Sequence, residues 1–158
     1  MFAHLNSIGL YGMDAFEVNV EADISNGLPG FDVVGLPDTA VKESRDRVRS
    51  ALKNCGFTFP MSRITVNLAP ADKRKEGPIY DLPILLAILT ASGQLSCDLS
   101  DCAMIGELSL SGEIHGIRGV LPMAIHAKEL GYHRLFVPAV NAAEGAVVEG
   151  LEVYPVTN

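Results

Sequence analysis

The sequence holds three cysteines, Cys55, Cys97 and Cys102, and no C-x-x-C pair. An odd count without paired spacing excludes a disulfide framework. His4, His115, His126 and His133 are scattered and none lies at ligand spacing from a cysteine, which excludes a zinc site. Free thiols in a reducing compartment remain. No apolar run approaches the roughly 18 residues that cross a bilayer. Residues 1–12 lack the basic and continuous apolar regions of a signal peptide. A cytoplasmic location without a membrane partner is therefore expected. Also missing are G-x-x-x-x-G-K-[ST], a G-x-G-x-x-G after a strand, a G-x-S-x-G elbow and H-E-x-x-H. By motif alone, no catalytic group, metal or cofactor is assigned to this chain.

What is present is an ordinary globular composition: 158 residues, 48% hydrophobic and 20% charged, enough for one domain with a real core. The net charge of -7 argues against a protein that coats nucleic acid, but the average hides a segregation. Residues 1–41 contain six acids and no base. Residues 42–75 hold nine bases and three acids, a net +6, and residues 76–158 three bases and ten acids, a net -7. A basic segment between acidic flanks calls for a reason.

Two strands open the chain, about residues 4–10 and 16–24, around a Tyr11-Gly12-Met13-Asp14 turn. In the second, Phe16, Val18, Val20 and Ala22 alternate with polar residues, one dry face and one acidic face. A short strand at 31–34 precedes a helix over 39–54 with Asp38 as N-cap. Val41, Val48, Ala51, Leu52 and Cys55 form its buried stripe. Lys42, Arg45, Arg49 and Lys53 share one outer face, and Glu43 pairs locally with Arg47. Residues 63–94 are the centre of the reading: a strand with Ile64, Val66 and Leu68, a charged loop over 70–78, and a helix from Tyr80 or Asp81 to Gly93. Asp81 is the expected cap. Leu82 to Leu89 leave no polar face, so this helix must be covered all round. A hairpin turning near Ser111-Gly112 follows. The third helix, 120–131, is expected to turn Leu121, Ala124, Ile125, Ala127 and Lys128 inward. A strand at 134–137, a short helix at 141–147 and a last strand with Leu151, Val153 and Pro155 complete an α+β order with a mixed sheet.

The runs VKES, KEGP, MIGELSLSGEIHGI, ELGY, RLFVP and EGLEVYPV together resemble the Lon protease domain over residues 41–156. The resemblance implies that fold, akin to the second domain of ribosomal small-subunit protein five. It also implies a Ser nucleophile after the loop proline and a Lys base on the helix after the hairpin. Those positions hold Ile79 and Leu121, which neither attack a carbonyl nor move a proton. Ser109, Ser111 or Lys128 could stand in only by reaching a site built for other positions, and Ile79 is expected to face Leu121 in an apolar contact.

A fuller resemblance, carried by ISNGLPGFDVVGLPDTAVKESRDRVRSALKNCGF, ITVNLAPAD, KEG and YDLPILLAIL, is to the N-terminal domain of the ComM/YifB family of Mg-chelatase-like AAA+ ATPases. It implies one Lon-like domain over 1–158 that precedes an AAA+ motor. ATP and Mg would act in the full-length protein, a homo-hexamer linked to competence and DNA branch migration. The resulting expectation is a non-catalytic accessory domain serving ring assembly or DNA contact, with the AAA+ domain of its own chain as partner. Lys42, Arg45, Arg49, Lys53 and an exposed rim of Lys73, Arg74 and Lys75 are the candidate contacts. A Lon-type Ser–Lys peptidase and a Mg-chelatase-like motor subunit are the alternatives.

Overall fold

A computed structural model describes residues 1–75 and 77–157, so Glu76 of the KEGP motif lies outside the described residues. Strands β1 (Phe2–Tyr11) and β2 (Asp14–Ser25) pair antiparallel along their whole length around a tight turn at Gly12-Met13. The alternation in β2 is as the pattern requires, with Val18, Val20 and Ala22 buried. β3 (Gly30–Val34), α1 (Asp38–Asn54) and β4 (Arg63–Ala69) form a crossover unit, and β3 and β4 are parallel. Then come α2 (Asp81–Ala91), β5 (Cys102–Met104), the hairpin β6 (Glu107–Leu108) and β7 (Ile114–His115), and α3 (Val120–Glu129). β8 (Arg134–Pro138), a 3-10 turn over Ala139–Asn141, the short α4 (Ala142–Gly145) and β9 (Glu152–Val156) end the order.

One seven-stranded sheet, ordered β3-β4-β2-β1-β5-β8-β9, carries everything but the hairpin. It is mixed, as expected, but more parallel than a simple α+β order implies. Only β1–β2 and β2–β4 are antiparallel; the other four pairings are parallel. The helical crossovers between β3 and β4 and between β5 and β8 make that so, because parallel neighbours need a long connection.

Alternate residues of β5 go to different cores. Cys102 and Met104 join α1 and α2, whereas Ala103 and Ile105 join α3 and β8. Successive strand side chains point to opposite faces, so α1 and α2 lie on one face of the sheet and α3 on the other. β5 itself is only three residues long, too short to stand out from the loop before it. Buried polar groups lash it to β1: Asn6 donates to the carbonyls of Ser100 and Cys102, and Ser7 Oγ to that of Met104 at 2.8 Å.

Two helix details differ from expectation. Asp38 is the first helical residue and Pro37 occupies the cap position, without a side-chain cap bond. The carboxylate is thus placed to complement the helix dipole and is not the cap. In α3 the inward stripe is Val120, Met123, Ala124 and Ala127, while Leu121, Ile125 and Lys128 are exposed. Both stripes have helical spacing. Ala124 and Ala127 are common to both; Val120 and Met123 take the inward places expected for Leu121 and Ile125.

Candidate functional site at the mouth of the central helix

The loop after β4 leads straight to the N-terminus of α2. Its Lys75 is not part of an exposed rim: the side chain is 2% exposed. The ammonium donates to the carbonyl of Pro70 and, at 2.9 Å, to that of Lys73. Burial pulls its pKa below the usual lysine value, and nearby Asp72 acts in the opposite direction. The expectation of an exposed Lys75 fails because two loop carbonyls need a donor and this side chain folds back to supply it.

Ile79 is half-buried and packs against both hydrophobic cores, at the seam between the two faces of the sheet. The backbone on either side of it is fixed by Gly106, whose N–H donates to the Ile79 carbonyl at 2.9 Å. The Gly106 carbonyl in turn accepts from Leu82 N–H at 3.1 Å. A side chain on residue 106 would crowd the hairpin, since its Cβ would lie 2.9 Å from Ile114 Cγ2. Leu121, at the other dyad position, is 37% exposed and its N–H bonds to Glu144 Oε2. Ile79 thus serves core packing, whereas Leu121 is largely at the surface.

The helix begins with Asp81, which is 1% exposed and does not cap its own helix. Arg47 Nε donates to Oδ2 at 2.5 Å and Nη2 to Oδ1 at 3.2 Å. Ser44 Oγ donates to Oδ1 at 2.9 Å, and the N–H of Leu108 to Oδ2 at 3.2 Å. One carboxylate therefore ties α1, α2 and β6 together. Burial pushes the Asp81 pKa up, and its bond to Arg47, the Arg47 charge and the bonds from Leu108 and Ser44 oppose that. For Arg47 burial pulls the pKa down, but the bond to and charge of Asp81, together with the charges of Glu107 and Glu43, hold the guanidinium above its ordinary value. Arg47 keeps only a 3.9 Å contact to Glu43, the local partner that helix spacing suggested. The missed signal was Asp81 itself, the one acid on an otherwise apolar helix, because a buried charge needs a partner of opposite sign.

The basic residues fall into separate groups. Lys42 is exposed, but Arg45 Nη1 donates to the Phe31 carbonyl at 2.9 Å and is tied to β3. Arg49 and Lys53 line a groove of about 250 Å³ with Gly30, Phe59, Met61 and Ser62; the Arg49 guanidinium lies 5.1 Å from the Phe59 ring centroid. Lys73 and Arg74 line a different hollow beside Tyr11 and Asp14. The first group is at the start of β4 and the second beyond its end, a strand length of roughly 20 Å apart.

Ser109 and Ser111 bond to each other at 2.9 Å in the hairpin, and Ser109 Oγ also takes the Glu113 N–H. Lys128 lies against Gly150 on the other side of the molecule's order, on α3. Among the described residues no group of three His, Cys, Asp or Glu could hold a metal ion.

The family model described as subunit ChlI of Mg-chelatase matches residues 20–141. The chain is 47% identical to the competence protein ComM of Haemophilus influenzae over 90% of its own length, and that match spans 28% of ComM. It is 49% identical to the protein YifB of Salmonella typhimurium, over 87% of this chain and 27% of YifB. A weaker likeness, 26% identity over 96% of the chain, is to the Lon protease of Mycolicibacterium smegmatis, of which it spans 21%. The chain thus spans less than a third of the length of these curated relatives.

Proposed function

This chain belongs to the family of the ChlI subunit of Mg-chelatase, and from that premise we propose that it is a Lon-type, non-catalytic domain of an ATP-driven AAA+ motor. Its work is to organise the motor and to meet nucleic acid, not to cut a substrate. The observation that carries this reading is Ile79. At the point where a Lon-type loop would present its nucleophile, an apolar side chain joins the two cores. The polar side chains around it are committed to structure, Lys75 to loop carbonyls and Asp81 to Arg47, Ser44 and Leu108.

The residues of this domain supply no phosphate loop, so ATP and Mg are assigned to sequence outside it. What the domain itself offers a nucleic acid is positive charge at two ends of β4: the Arg49–Lys53 groove, and Lys73 with Arg74. Lys75 is removed from that set by burial and Arg45 is occupied by β3. Backbone phosphates need cations and no particular base, which suits a motor that moves along DNA of any sequence. Cytoplasmic location and a hexameric ring belong to the same reading.

The test uses the longer polypeptide with and without Arg49→Ala/Lys53→Ala, measuring ATP hydrolysis and binding to single-stranded and forked DNA across a salt series. Intact ATP hydrolysis with weakened, less salt-dependent DNA binding is the expected pattern. Unchanged binding would remove the groove from the reading. The family description favours a chelatase-type motor as the second reading; specific binding of a metal-inserting partner subunit by the full-length protein would support it.

A further inference from the structure

Helix α2 has no polar face between Leu82 and Leu89, and such a helix is stable only when covered all round. Here the cover is incomplete along one strip centred on Leu86. Leu82, Leu85, Leu86 and Leu89 form the floor of an apolar groove of about 240 Å³, open on one side and walled by Ile114 of the hairpin and Val156 of β9. Leu86 is only half-buried, and beside the groove Phe57 is 39% exposed. This volume lies below the roughly 300–1,000 Å³ of small-molecule sites. It is of a size for one or two large apolar side chains.

The outgoing chain runs along the groove's edge. Ile114 N–H donates to the Thr157 carbonyl at 2.8 Å, directly after Val156 contributes to the wall. The curated relatives are more than three times as long as the part this chain matches. We propose that the polypeptide continuing beyond β9 in the longer protein turns into this groove and seats an apolar side chain on α2, making the groove the joint between this domain and the motor. The inference rests on the reading that motor sequence follows this domain. The joint would bind α2, and through Leu82 and Gly106 the mouth of the central helix, to whatever moves during the ATP cycle.

Cys55 lines the groove and is exposed, and so gives a direct readout. In a Cys97→Ser background, maleimide labelling of Cys55 is timed in the 158-residue chain and in the longer polypeptide. Labelling is expected to be at least about tenfold slower in the longer polypeptide, as for a site that must open before it reacts. Leu86→Glu, or independently Ile114→Glu, each checked for native circular dichroism, should restore the fast rate there. Equal rates in the two proteins overturn the proposal. So does slow labelling of the 158-residue chain that appears with rising concentration, because a second copy would then be the cover. ATP hydrolysis in the same samples reports separately on the motor reading.

Discussion

Asp81 and Arg47 stand 34 residues apart in the chain and meet in a two-pronged ion pair, Nε to Oδ2 at 2.5 Å and Nη2 to Oδ1 at 3.2 Å. The pair joins the basic helix to the central one beneath the hairpin. It places charge where a Lon-type loop begins its helix, and it spends that charge on architecture.

Removing one partner strands the other. Asp81→Ala should destabilise the domain by about 3–5 kcal/mol, the range for breaking a buried pair, read as a fall in the urea midpoint at unchanged m-value. Replacing both, Asp81→Leu with Arg47→Met, should lose less than Asp81→Ala alone. A double mutant worse than the single one would deny the coupling.

Asp81 also has a pH signature. Burial raises its pKa above the ordinary 3.8, so the folded state holds this proton more tightly than the unfolded chain. Its contribution is therefore most favourable below 3.8 and declines as pH rises through the folded pKa. Lys75 is shifted down from 10.5, so the unfolded chain binds its proton more tightly. Its contribution improves as pH rises from the folded pKa toward 10.5. Wild type minus Asp81→Asn and wild type minus Lys75→Met stabilities, measured against pH, should slope down and up respectively.

The two dyad positions should behave oppositely on truncation. Ile79→Ala removes a side chain packed on both cores and should cost about 2–4 kcal/mol. Leu121→Ala, at an exposed position, should stay within about 1 kcal/mol. Thermal or urea unfolding separates these outcomes.

Gly106→Ala places a Cβ 2.9 Å from Ile114 Cγ2, between the hairpin and the start of α2. A loss of about 1–3 kcal/mol is expected from overpacking. Ile114→Leu in the same chain should recover part of it, since it takes away the Cβ branch that collides.

Much of this was legible in the sequence. Strict alternation in β2 and the unbroken apolar run of α2 are signals that need no tertiary information, and Ser111-Gly112 marks a hairpin whatever surrounds it. The inner face of α3 was legible only in part: Ala124 and Ala127 are buried as expected, but Leu121, Ile125 and Lys128 lie one position round from Val120 and Met123, and only contact with the sheet chooses between such neighbouring stripes. Arg47 illustrates the limit for the site: Glu43 was its neighbour by helix geometry, whereas the stronger partner lay across the fold. Lys75 read as surface because lysine usually is, and only the loop's path brings two carbonyls onto its ammonium.

The proposed non-catalytic role predicts no peptide-bond chemistry at the mouth of α2. Casein and a fluorogenic peptide, incubated with the longer polypeptide and ATP, should show no cleavage above a protein-free control, in wild type and in Lys75→Met alike. Turnover that disappears on Ser109→Ala, Ser111→Ala or Lys75→Met would contradict the account and return this loop to catalysis.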